Sequence, residues 1–190
     1  HTSGLTYGFQ LRTNVDEAYR REKIGEIEKA GTLESMIQAL AKLPLEFSPG
    51  EAWNYSVATD VLGWLVQVVS GRPFEQFLAE EIFQPLNMVD TGFHVREGQE
   101  HRFAACYQPS RDGTIALQDD PATSSYLKPP SFVSGGGGLV STAADYLQFC
   151  RMLANGGTLG GTRIISRKTL DLMTANHLPG DAAISAMSRS

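Results

Sequence analysis

The sequence predicts a mainly α-helical chain with short β hairpins. Two observations predict it. Apolar residues recur at helical spacing in several separate stretches, each bounded by a capping residue, a glycine or a proline. Residues 90–118 abandon that period and break into short extended pieces around an Asp112-Gly113 turn. No internal repeat is visible at any period.

Taken in order, the first segment is loop-like. Asn14, with Glu17 three residues on, opens a helix through Asp16 to Ile24 whose apolar face is thin. Gly31-Thr32 then precedes Leu33, Met36, Ile37 and Leu40, at i, i+3, i+4 and i+7, a short amphipathic helix stopped by Pro44. Ser48-Pro49-Gly50 marks a turn. Val57, Val61, Leu65, Val68 and Val69 line one face of the next helix, flanked by Leu62 and Trp64 and ended by Gly71. β-branched residues are poor helix formers, so this segment relies on tertiary cover, worth about 1.5–3 kcal/mol for each side chain buried.

Pro73 suits the first turn of a following helix, whose stripe is Phe74, Phe77, Leu78 and Ile82 before Pro85. Thr91 to Val95, Arg102 to Tyr107 and Thr114 to Leu117 read as strands, and 121–130 as a Pro/Ser/Thr-rich excursion. Ser134-Gly135-Gly136-Gly137-Gly138 leads into a helix with Thr142 as cap and Asp145 at its third position. Tyr146, Phe149, Cys150 and Leu153 are expected to face inward there, and Gly156-Gly157 to end it. A last helix runs from Ser166 to about Asn176. These pieces form one region, divided as 1–54, 55–89, 90–133 and 134–190.

Composition narrows the function. Hydrophobic residues make up 42% and charged residues 19% of 190, enough for a packed core. Lys plus Arg total 16 against 21 Asp plus Glu, a net charge of −5, so no basic footprint marks nucleic acid or an anionic membrane as a partner. No apolar run approaches the roughly 18 residues of a membrane span. The two cysteines, Cys106 and Cys150, form one disulfide or, the favoured reading, stay as free thiols. The chain opens on what reads as an interior loop, without initiating Met or signal segment, and is expected to be a piece of a longer protein.

Several chemistries lack their residues. There is no Gly-x-Ser-x-Gly elbow, no Gly-x-Gly-x-x-Gly and no Walker lysine after the glycines at 135–138, which read as a close backbone approach. His1, His94, His101 and His177 are scattered without ligand spacing, so neither a metal nor another cofactor is expected. Tyr55 stands at a helix entrance directly after a turn. A phenol of ordinary pKa about 10 costs about 4 kcal/mol to ionise at pH 7, so Tyr55 acts as a base only beside a cation. Lys42 and Lys128 are distant from it along the chain.

His1-Thr2-Ser3-Gly4-Leu5, Pro49-Gly50 through Tyr55-Ser56, Gly63, Ser70-Gly71-Arg72-Pro73, Pro85-Leu86-Asn87-Met88 and Ser134 through Tyr146 occur in an order that resembles the serine β-lactamase/penicillin-binding-protein superfamily. The likeness is to its class C-like branch, nearest the family VIII carboxylesterases, where Trp-x-Tyr-Ser recurs. It implies that this chain is the helical-domain portion of the α/β serine β-lactamase/transpeptidase-like fold, with the remainder of the hydrolase fold as its partner. The residues themselves assign no compartment; the resemblance implies the bacterial cytoplasm or periplasm.

The same resemblance implies a catalytic Ser-x-x-Lys ahead of the His-Thr-Ser-Gly loop and a tyrosine proton shuttle, carried over here to Tyr55. Ser125-Tyr126-Leu127-Lys128 matches the first pattern literally, but it follows the tyrosine motif, and Pro129-Pro130 denies it a helix interior. The nucleophile is therefore expected outside these residues. Where lactam-recognising members carry an amide, this chain has Val57, which neither donates nor accepts. That favours an ester substrate over a lactam. Trp53, Tyr126 and Phe132 are candidate walls of an acyl pocket, with ordinary packing as the competing reading. The rival functions are a β-lactamase or penicillin-recognising peptidase, and a non-catalytic helical binding module. Asn54-Tyr55-Ser56 also matches a glycosylation sequon, set aside because the helix entry is expected to be buried.

Overall fold

The computed structural model describes residues 1–26, 31–181 and 183–187. Among the described residues, helices α1 (Asn14–Arg21), α2 (Leu33–Leu40), α3 (Ala58–Ser70) and α4 (Phe74–Leu78) precede one antiparallel hairpin, α5 (Ala143–Ala154) separates it from a second, and α6 (Arg167–Met173) and α7 (Ile184–Met187) follow. The hairpins pair β1 (Cys106–Pro109) with β2 (Ile115–Asp119) and β3 (Thr158–Leu159) with β4 (Thr162–Arg163). No helix among the described residues is long and apolar enough to cross a membrane.

Hydroxyl caps set the helix starts. Thr13, rather than Asn14, caps α1. Its Oγ1 accepts the Asp16 N–H at 3.2 Å while the Asp16 carboxylate accepts the Thr13 N–H at 3.1 Å, so an acid at the third position decides the start. Thr32 and Ser35 repeat this reciprocal pair on α2. Thr142 caps α5 as expected; Ser166 caps α6, which ends at Met173 rather than near Asn176. Gly71, in the left-handed region at φ 68°, ends α3 and returns its N–H to the Gln67 carbonyl. The Phe74 helix continues as a π-helical turn over Ala79–Phe83.

The larger core gathers Tyr19, Ile24, Leu33, Met36, Val57, Phe74, Phe93 and Phe132; a smaller one gathers Phe83, Leu86, Met88 and Met152. The stripe expected on α3 is corrected. Val57 is buried and Val61 half-buried, but Leu65, Val68 and Val69 point outward, Val69 at 79% exposure. The inward side carries Asp60 and Gly63 instead. A Cβ at Gly63 would lie 3.1 Å from the Gly135 Cα, so α3 packs through its smallest residue against the glycine-rich turn.

A similar rotation corrects α5. Phe149 and Leu153 pack inward, but Tyr146 is 61% exposed and Cys150 is exposed, while Asp145 and Met152 are buried. The Asp145 carboxylate accepts the Asp90 N–H at 2.7 Å and the Thr91 hydroxyl at 2.9 Å, and turning that side inward turns Tyr146 and Cys150 out. Both cysteines are free and exposed. Thr91 to Val95 forms no strand; only Gly92 pairs, in an isolated bridge to Val140. The Arg102–Tyr107 strand shortens to begin at Cys106, because Glu100–Arg102 coils into a 3₁₀ turn.

Candidate active site

The first six residues are stitched onto the turn that leads into α3. The carbonyls of His1, Thr2, Gly4 and Thr6 accept backbone N–H groups from Asn54, Gly50, Glu46 and Val57 at 2.8, 2.8, 2.8 and 3.3 Å. Beneath this seam, Asn54 is 1% exposed. Its side-chain amide donates to the Leu5 carbonyl and to Glu46 Oε2, each at 3.0 Å, and its Oδ1 accepts from the Arg12 guanidinium. An amide so enclosed offers nothing to a glycosylating enzyme.

Glu46 extends the network, accepting the Thr13 hydroxyl at 2.9 Å and lying 4.0 Å from the Arg12 Nη2. Asp16, fully buried, accepts the Thr6 hydroxyl at 2.6 Å and the Arg12 N–H at 2.8 Å. Buried polar groups that are fully paired in this way fix a single backbone path. That path holds Tyr55, the next residue after Asn54.

Tyr55 is 48% exposed at the mouth of α3, with its carbonyl held by the Gln10 side-chain amide. Its ring lies 5.0 Å from the His1 ring, 5.1 Å from Tyr7 and 6.5 Å from Phe9. Trp53 also meets His1, edge-on at 5.5 Å and 77°. Trp53 and Tyr55 are thus joined through an imidazole whose nearness no local sequence pattern reveals. Val57 lies below them, its side chain fully buried in the larger core.

Tyr7 is the second phenol of the site, and no motif in the sequence points to it. Burial foremost, then the Asp60 carboxylate and Tyr55, push its pKa up to about 12. It therefore stays protonated at neutral pH. Asp60 in turn accepts the Ser134 hydroxyl at 2.5 Å and the Gly136 N–H at 3.3 Å. The glycine-rich turn closes against α3 because a Cβ at Gly135 would overlap the Thr59 carbonyl oxygen.

Tyr126 and Phe132 belong to a different place. They line a cavity of about 560 Å³ with Phe93, Lys128, Pro130 and Ser134, and none of Trp53, Tyr55 and Val57 borders it. Phe132 is itself largely buried in the core, and the Tyr126 ring lies 6.1 Å from Phe103. Ser125 to Leu127 is a single 3₁₀ turn and Lys128 is extended, so Ser125 and Lys128 share no helix face.

Comparison with known proteins adds the wider context. The sequence profile of the family described as Beta-lactamase matches residues 1–189. The chain is 39% identical over 178 residues to Protein Rv1367c of Mycobacterium tuberculosis, covering 94% of this chain and 43% of that protein. It is 32% identical to Esterase EstB of Burkholderia gladioli, covering 85% of this chain and 45% of the esterase. Among solved structures, EstCE1, described as a hydrolase with promiscuous acyltransferase activity, superposes with a TM-score of 0.78 at 28% identity, covering 93% of this chain and 49% of that one. The chain therefore spans less than half the length of the curated relatives it matches.

Proposed function

The chain belongs to the Beta-lactamase family, and from that premise we propose that the protein it represents is a serine hydrolase cleaving carboxylic esters through an acyl-enzyme, with Tyr55 carrying the proton. The observation that carries the reading is the half-exposed Tyr55 phenol, fixed on a buried Asn54–Glu46–Arg12 network at the entrance of α3. The likeness to Esterase EstB and to EstCE1, a hydrolase, supports the ester. Val57 supports it too, since an apolar side chain buried at that position supplies no hydrogen bond to a lactam's acylamide.

In this reading a Ser-x-x-Lys pair supplied by residues outside this chain places an ammonium against Tyr55, whose charge assists the proton transfer. The phenolate takes the serine proton as the serine oxygen attacks the ester carbonyl, and the tetrahedral intermediate expels the alcohol, which leaves with the proton from Tyr55. Water then repeats the exchange, Tyr55 accepting its proton and returning it to the serine as the carboxylic acid departs. Trp53, which shares the His1 ring contact with Tyr55, is the proposed contact for the acyl or alcohol portion; Tyr126 and Phe132 line a separate cavity that Tyr55 does not border and are set aside as acyl walls.

The test uses the complete protein. Tyr55→Phe should lower acylation by p-nitrophenyl butyrate by about 10²–10⁴-fold, the usual worth of a positioned acid–base group, with the fold intact by circular dichroism. Near-normal turnover removes Tyr55 from the mechanism. Faster cleavage of nitrocefin than of the ester would make the protein a β-lactamase, and cleavage of neither would make it a binding module.

A further inference from the structure

The His1 ring lies 5.0 Å from the Tyr55 ring, and His1 has no part in the proton transfer just described. Its carbonyl accepts the Asn54 N–H at 2.8 Å, which sets the backbone opposite the residue before Tyr55. Its imidazole Nδ1 then lies 3.2 Å from the Ser56 hydroxyl, within hydrogen-bond reach. Ser56 is fully buried, and the same oxygen accepts the Ala58 N–H at 3.4 Å, so the imidazole is tethered to the first turn of α3.

Held in that way, the ring contacts two others: edge-on to Trp53 at 5.5 Å, and tilted by 55° against Tyr55 at 5.0 Å. The Tyr7 ring is also in contact with Tyr55, its centroid 5.1 Å away. A half-exposed tyrosine would otherwise sample several χ1 wells. Here two rings limit them, and one of the two is anchored by a buried hydroxyl.

We propose that His1 is a positioning residue for Tyr55, its imidazole fixed by Ser56 and Trp53 so that the phenol is presented in one orientation to the reacting serine. This rests on the assignment of Tyr55 as the proton carrier. An error of about 1 Å in a reacting group costs on the order of 10²-fold in rate, and His1 is placed to prevent it.

The experiment is a double-mutant cycle in the complete protein, with acylation by p-nitrophenyl butyrate followed in single turnovers. His1→Ala should lower the acylation rate by about 10–100-fold with KM within about twofold, and should change the rate by less than about twofold when combined with Tyr55→Phe, because positioning acts only through the group positioned. His1→Phe keeps a ring against Tyr55 without the tether to Ser56, and should recover part of the loss. Where His1→Ala fails to fold, the His1→Phe variant carries the same cycle. Equal losses with and without the Tyr55→Phe substitution, or no loss in either background, overturn the proposal. A Tyr55→Phe variant that is fully active by itself sinks the assignment of Tyr55 instead, so the two failures are told apart.

Discussion

The Ser134 hydroxyl donates to Asp60 at 2.5 Å, joining the glycine-rich turn to the first turn of α3 across 74 residues, with both side chains buried. Removing the donor leaves a buried carboxylate with fewer partners. Ser134→Ala should destabilise the protein by about 1–3 kcal/mol, read as a lower urea midpoint at unchanged slope. A midpoint equal to wild type would mean that water replaces the hydroxyl and that the turn is not held through it.

The same contact explains how much was legible in the sequence. Caps were readable where a hydroxyl and an acid sit three apart, as at Thr142 and Asp145, because that signal is local. The buried side of α3 was not. Five branched residues advertised a stripe, yet Gly63 and Asp60 face inward, because a distant glycine run approaches so closely that only the smallest residue fits. The sequence singles out Tyr55, the proposed proton carrier, through its motif. Its neighbours His1 and Tyr7 were not legible in this way, since their contact depends on a seam between segments some fifty residues apart.

Gly135 tests that close approach directly. A methyl there would overlap the Thr59 carbonyl oxygen and lie 3.1 Å from the Asp60 Cα, backbone atoms that cannot swing aside. Gly135→Ala should cost about 1–3 kcal/mol or more by overpacking. At Gly92 the nearest atom to an added methyl is 3.8 Å away, so Gly92→Ala should stay within about 1 kcal/mol of wild type. Equal midpoints for the two variants in urea unfolding would show that the turn does not sit against α3.

Asp16 gives the fold an acid limit. Burial alone would raise its pKa, but the Thr6 hydroxyl, the N–H groups of Arg12 and Thr13 and the Arg12 charge outweigh it, leaving the carboxyl below its ordinary 3.8. A depressed carboxylate adds stability above its unfolded pKa and loses it as pH falls through the folded value. Urea midpoints should therefore drop below pH 4, and Asp16→Asn should flatten that part of the profile while lowering stability at pH 7. An unchanged acid limb in Asp16→Asn would assign the loss to other carboxylates.

Tyr7 sets the corresponding alkaline limit, with the opposite sign. Its phenol, pushed up to about 12 chiefly by burial and next by Asp60, is held neutral in the folded protein well beyond the ordinary value of 10.0. The stability it adds is complete below pH 10 and is lost as pH climbs from 10 towards 12. Tyr19, also raised to about 12 by burial, contributes the same near-ultraviolet change in wild type and in Tyr7→Phe, and cancels when the two are subtracted. The difference in phenolate absorbance should then rise near pH 12 rather than pH 10. A rise near 10 would place the Tyr7 hydroxyl in water, away from Asp60. Tyr7 would then no longer stand as a neutral aromatic wall beside Tyr55.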